Sequence, residues 1–313
     1  MSAALVLALV LGQVQAPSSA FGASRPAECG EGSVGPAGRG GNLWESAKEP
    51  QLRRYCDLVA MGTAKLVGQG ALAKDVLDVA DEADKLRPGR AAPSVLRGRA
   101  LLRLGRDKEA LAALEQAKSR DERALDDPTT LLAWARANAR TGRGDVAARA
   151  FRAALPRASA LSAQERSTAS FEAGLAVMAL GPAQIDDAVA MLRQARRDAQ
   201  DAMQVASVVA LALALDRAGQ REEARAVLAE RVRADVRPLL ADARVTTALA
   251  DAGATGESPA LAALAMEAVG DAAAAREAWR KYVDGPGGKG PYADHARGHE
   301  SPASRPAAPR RAP

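Results

Sequence analysis

The chain holds only two histidines, His295 and His299, four residues apart near its C-terminus. That spacing puts both imidazoles on one face of a helix, the arrangement from which zinc-protease sites are built. The protease pattern needs Glu directly after the first His, but Ala296 stands there and no third ligand is evident. Both histidines are therefore expected to be solvated tail residues, and no metal site is expected. With no histidine elsewhere, a Ser-His or Cys-His nucleophile would have to recruit this tail. Asp126-Asp127 and Asp186-Asp187 resemble catalytic acid pairs, but each stands where a helix should start and suits the N-terminal dipole. Gly30-x-Gly32-x-x-Gly35 matches the dinucleotide fingerprint as a string, yet it sits in a Gly/Pro-rich stretch rather than between a strand and a helix. "GPGGKG" at 285–290 lacks the first glycine of a P-loop and a Ser or Thr after Lys289. The expectation is a protein that is not an enzyme and uses no cofactor.

Two cysteines occur, Cys29 and Cys56. The start of the chain reads "MSAALVLALVLGQVQAPSSAFGAS", an apolar run followed by small residues suited to cleavage. Residues 1–22 are read as a signal peptide, with the mature chain beginning after Ala20 or Gly22. The run is too short for a membrane span, which needs about 20 residues. Export to the periplasm or beyond the cell would expose both cysteines to oxidising conditions, so a Cys29–Cys56 disulfide is expected. The net charge of +5 is concentrated in the tail: residues 285–313 carry +3 and the remaining 284 residues only +2. Aromatic residues make up 3%. A basic stripe interleaved with stacking groups is missing, and nucleic acid is not expected as a partner.

Residues 23–50 read as a Gly/Pro-rich linker, 51–283 as a repetitive body and 284–313 as a mostly disordered basic tail with room for a short helix at 291–299. Within the body, "RLGRDKEALAALEQA" (103–117), "RTGRGDVAARAFRAA" (140–154), "RAGQREEARAVLAER" (217–231) and "AVGDAAAAREAWRKY" (268–282) repeat one pattern. Each is anchored by a glycine: Gly105, Gly142, Gly219 and Gly270. Five residues on stands Ala110, Ala147, Ala224 or Ala275; nine on stands Leu114, Phe151, Leu228 or Trp279. Seven residues before the glycine come Gly98, Ala135, Ala212 and Ala263. A fifth copy sits on Gly181 with Gly174 ahead of it and Ala188 and Leu192 behind. This predicts a helix, a left-handed glycine turn and a second helix, with small residues allowing close approach and a large one filling the gap. Leu58–Leu86, with a turn at 68–70, reads as a divergent first hairpin. An extra helix is expected at about Pro238–Ala252, ended by Gly253.

These residues and their spacing resemble the tetratricopeptide repeat (TPR) family. The step between key alanines is 37, 41, 36 and then 51 residues, against about 34 in the family. The resemblance implies an all-α superhelical stack, here about five regular hairpins plus the divergent first one. It also implies that the first helix of each hairpin lines a concave groove that binds a protein or peptide. Six residues before each turn glycine that wall would carry Arg99, Arg136, Leu175, Leu213 and Leu264. One turn later it would carry Arg103, Arg140 and Arg217, the row broken by Ala179 and Ala268. A ligand with an acidic end and an apolar end is expected, arginine being suited to carboxylates. The alternative for these arginines is pairing with acids of neighbouring helices. The alternative for the whole chain is a structural subunit of an envelope complex, assembled through self-packing of its repeats.

Overall fold

The computed structural model describes Pro26, Cys29, residues 50–67 and residues 73–300. The signal peptide expected at 1–22, the glycine string at 30–35, the turn expected at 68–70 and residues 301–313 lie outside the described residues. Among the described residues every regular element is helical.

Six helical hairpins follow one another. They are α1 (Pro50–Val67) with α2 (Ala73–Leu86), α3 (Ala91–Arg103) with α4 (Asp107–Arg120), and α5 (Pro128–Arg140) with α6 (Gly144–Ala154). Next come α7 (Ala163–Met178) with α8 (Ile185–Asp198) and α9 (Asp201–Arg217) with α10 (Arg221–Arg231). Two inserted helices intervene, α11 (Arg237–Leu240) and α12 (Ala243–Asp251). The last hairpin is α13 (Ser258–Ala268) with α14 (Ala272–Asp284), and α15 (Ala293–Glu300) ends the described chain. Within hairpins the partners pack along their length, and each second helix rests on the first helix of the following hairpin. This is a TPR-like α-solenoid.

The turns form as the glycine pattern predicts. Gly105 has φ +71°, a left-handed conformation that costs glycine nothing. It lets Arg106 N–H reach back to the Leu101 carbonyl at 2.9 Å and close the helix end. The other turn glycines of the repeats are likewise at positive φ. The small positions act as contact points between partners. A Cβ added at Gly98 would lie 2.6 Å from Leu114, and one added at Gly174 would lie 2.5 Å from Leu192. Leu114, Phe151, Leu192 and Trp279 are fully buried in those gaps. Each such side chain contributes about 1.5–3 kcal/mol by leaving water, so the large residue four after the alanine is the main source of hairpin cohesion. The expected acid pairs do serve helix starts: Asp127 caps α5 by accepting from Thr130 N–H at 2.9 Å, and Asp186 and Asp187 occupy the first turn of α8.

Cys29 and Cys56 are bonded, their Cα atoms 5.7 Å apart and both side chains buried, so the segment before α1 is tied to the first hairpin. The insertion differs from the single helix expected at 238–252. Asp242 accepts from Arg244 N–H and starts a new helix, which splits the segment into α11 and α12. Gly253, at φ +67°, ends α12. The short helix for which 291–299 had room forms as α15 (Ala293–Glu300), and it rests on α14.

Candidate binding groove

The groove wall is built from the inner faces of the first helices, and much of it is covered by the chain itself. Helix α12 lies against α5, α7 and α9. Its apolar side is Val245, Ala248 and Leu249, all buried, in one core cluster with Leu175 of α7 and Leu213 of α9. Both of those leucines are fully buried. The expectation that Leu175 and Leu213 line an open groove is thereby corrected: the insertion occupies the surface they would offer.

The acidic end of α12 meets the arginines. Arg140 donates from Nε to Asp251 Oδ1 at 2.8 Å and from Nη1 to Asp107 Oδ1 at 3.1 Å. Arg136 donates twice to Glu172, Nε to Oε2 at 2.8 Å and Nη2 to Oε1 at 3.0 Å, with Asp251 Oδ2 at 3.7 Å. Glu172 lies on α7 and is fully buried. Burial opposes the charge on Arg136, but the carboxylates of Glu172 and Asp251 outweigh it and hold the guanidinium above its ordinary value. Burial also dominates at Glu172, pushing its carboxyl up to about 7 despite Arg136. At the exit from α12 the chain passes so close to α5 that a Cβ on Gly253 would stand 2.9 Å from the Ala139 carbonyl oxygen.

Arg217 is elsewhere. Its side chain is 1% exposed and donates to Glu257 at 2.7 Å and to the Tyr282 hydroxyl at 2.9 Å. The guanidinium stacks 4.2 Å over the Tyr292 ring. It braces the C-terminal hairpin and offers nothing to a groove ligand, which corrects its place in the arginine row.

Arg99 and Arg103 stand on the inner face of α3. Arg99 is half-buried and makes no hydrogen bond or ion pair among the described residues. Burial depresses its pKa, and the like charges of Arg103 and Arg136 depress it further, against partial relief from Asp127. Arg103 is exposed and is lowered in turn by desolvation and by Arg136. Arg99 and Arg103 form a cationic patch beside the ion-paired Arg136 and the acidic end of α12.

The residues missed in the sequence are the acids. Glu172 is the one charged residue within the apolar run "SFEAGLAVMAL" and Asp251 immediately precedes the end of the insertion. A lone acid inside an apolar helix signals a buried partner, and the arginines one repeat earlier supply it. The histidines also need correction: their side chains are 19% and 15% exposed and both reach Asp216.

No family model matches the chain, and no curated protein matches it. Nine chains of solved structures do match. One is a single-substitution variant of a protein from Podosopora anserina, described as a kinesin light chain with nearly identical TPR-like repeats. It is 21% identical, with a TM-score of 0.42, over 62% of this chain and 96% of its own. The TPR-like architecture of this chain rests on its own hairpins: the left-handed turn glycines, the small contact positions and the large residues that fill the gaps.

Proposed function

We propose that the protein is a non-catalytic interaction module that takes an acidic segment of a partner protein on the inner wall of α3, at Arg99 and Arg103, next to α12. The observation behind this reading is Arg99, a half-buried guanidinium that makes no hydrogen bond or ion pair among the described residues and for which the pull of Asp127 does not make up for burial and the like charges of Arg103 and Arg136. A desolvated cation of this kind gains from an incoming carboxylate, to which arginine can bond through two N–H groups. The ligand is shorter than the one expected from sequence, because α12 already supplies both the apolar portion and the acid that Arg140 binds.

Selection from a displayed library of peptides containing Asp and Glu would test this. The expected outcome is enrichment of acidic sequences whose affinity drops at least tenfold for Arg99→Glu, with helicity unchanged and with weaker binding at higher salt. Acidic peptides that bind Arg99→Glu as tightly as wild type would overturn it. The reading of export accompanies this proposal: the Cys29–Cys56 bond suits an oxidising compartment. N-terminal sequencing of protein from the producing cell should find a start after Ala20 or Gly22. The rival, an assembly subunit, calls for a large exposed apolar face. Among the described residues the large apolar side chains that are exposed are Met61 on α1, Leu180 in the turn after α7 and Leu239 on α11.

A further inference from the structure

At the far end of the stack four helices converge on a polar cluster that the groove does not use. Asp216, 5% exposed in the last turn of α9, has its Oδ2 2.6 Å from His295 Nε2 and 2.9 Å from His299 Nε2. Both histidines project from one face of α15. On its other side His299 Nδ1 lies 3.0 Å from Glu267 Oε1 at the end of α13. Glu267 is itself held by Trp279 Nε1–H at 2.7 Å, from α14, and the Trp279 ring stacks on His299 at 4.5 Å.

We propose that Asp216, His295 and His299 form a site for one divalent transition-metal ion, for which Zn²⁺ is the best chemical fit, clasping α15 to the end of the hairpin stack. Three donors of the right types, two imidazole nitrogens and a carboxylate oxygen, lie within 4.8 Å of one another. Zinc bonds of about 2.0–2.1 Å in tetrahedral geometry place donor atoms about 3.3 Å apart, so the Asp216 contacts to His295 and His299, at 2.6 and 2.9 Å, need to lengthen by less than about 1 Å while the two imidazoles settle to the same spacing. Small rotations of the two partly exposed imidazoles supply that. Water or a partner's ligand would complete the coordination.

The surroundings match the chemistry. A histidine bound through Nε2 keeps its proton on Nδ1, and metal-binding histidines usually donate that proton to a carboxylate or carbonyl. Glu267 is placed to receive it from His299. The carboxylates of Asp216 and Glu267 balance a dipositive ion, and the nearby cation, Arg221, lies 3.7 Å from Asp216 on a side chain that is 62% exposed and free to swing outward. The two imidazoles favour zinc, nickel or copper over calcium or magnesium, which take oxygen ligands.

The test uses the untagged, disulfide-bonded full chain, dialysed against chelator and titrated with Zn²⁺ alone by calorimetry. One ion per chain is expected, with micromolar or tighter affinity, a rise in melting temperature and no comparable response to Ca²⁺. Because the chain holds only two histidines, a proton–nitrogen correlation spectrum of the imidazoles shows two rings, and both Nε2 signals should shift on Zn²⁺ addition. His295→Ala or His299→Ala should weaken binding at least 100-fold. Glu267→Gln keeps all three ligands and should weaken it about 10- to 100-fold, so the proposal stays testable if a ligand variant fails to dock α15. No stoichiometric uptake by the wild-type chain would overturn it, leaving a hydrogen-bonded latch. Zn²⁺ uptake with unmoved imidazole signals would also overturn it, since adventitious binding to surface acids would then be responsible.

Discussion

Arg99 and Arg136 occupy the same place in consecutive hairpins, six residues before the turn glycine, yet their surroundings are opposite. Arg136 sits in a desolvated network with Glu172 and Asp251. Arg99 makes no hydrogen bond or ion pair among the described residues, and burial with the like charges of Arg103 and Arg136 outweighs the pull of Asp127 on it. The acids around them make the difference. Glu172, nine residues before its turn glycine, accepts both hydrogen bonds from Arg136, whereas Ala133 stands at that place opposite Arg99. Helix α12, an insertion more than a hundred residues downstream that crosses the inner wall from α5 to α9, adds Asp251 beside Arg136 and pairs it with Arg140. A stack in which each hairpin touches chiefly its neighbours has been tied together by one long-range element, and the same arginine pattern has been divided into a structural half and an open half.

The sharpest way to break this comparison is to remove the structural arginine. Arg136→Leu leaves Glu172, whose side chain is 1% exposed, without its bidentate partner. Stripping one member from a buried pair costs about 3–5 kcal/mol. Denaturant unfolding at pH 8, where Glu172 of the wild type is largely ionised, should show a loss toward the lower end of that range, because without Arg136 the buried carboxyl takes up a proton. A loss below about 1 kcal/mol would mean that water reaches the network and that α12 does not seal it.

A second measurement sharpens the electrostatics. The carboxyl of Glu172 rises from 4.5 to about 7 in the native state because burial outweighs Arg136. A folded value above the unfolded one means that the native chain holds an extra proton between those limits. The stability linked to this group is therefore fully present below about pH 4.5 and is lost as pH rises through about 7, with an effect on the order of 3 kcal/mol. Unfolding free energies from pH 5 to 8 should fall for the wild type relative to Glu172→Gln, which cannot titrate. Parallel curves for the two proteins would show that Glu172 keeps an ordinary value.

What could be read from the sequence divides along the same line. Local rules were legible: glycine needs the left-handed turn at Gly105, and Gly98 and Leu114 fit together because a helix repeats its face every three to four residues. The inserted helix was legible in position, though the cap at Asp242 that splits it was not seen. Where α12 would lie was not legible. Its apolar face, Val245, Ala248 and Leu249, matches Leu175 and Leu213 in character, but nothing in local spacing says that the partner of a groove is inside the chain. Asp216 escaped notice for the same reason, since the two histidines four apart lack a third ligand until α9 and α15 are brought together. The ligand inferred from the wall, apolar at one end and acidic at the other, describes α12 itself.

The smallest effect should come from the open half. Arg99→Leu removes a half-buried cation that repels Arg103 and Arg136 and has no hydrogen bond or ion pair to lose. Its attraction to Asp127 is lost too, but that carboxylate keeps its bond from Thr130 N–H as the cap of α5. Relief of repulsion and of desolvation opposes the loss of that attraction, so stability should stay within about 1 kcal/mol of wild type. The expected pattern is therefore asymmetric: Arg136→Leu damages the fold, whereas Arg99→Leu spares the fold and removes affinity for acidic peptides. Measuring both variants by denaturant unfolding and by peptide titration checks it. Equal destabilisation by the two would show that α3 contributes to the same buried network as α5, and the open site proposed at Arg99 would have no basis.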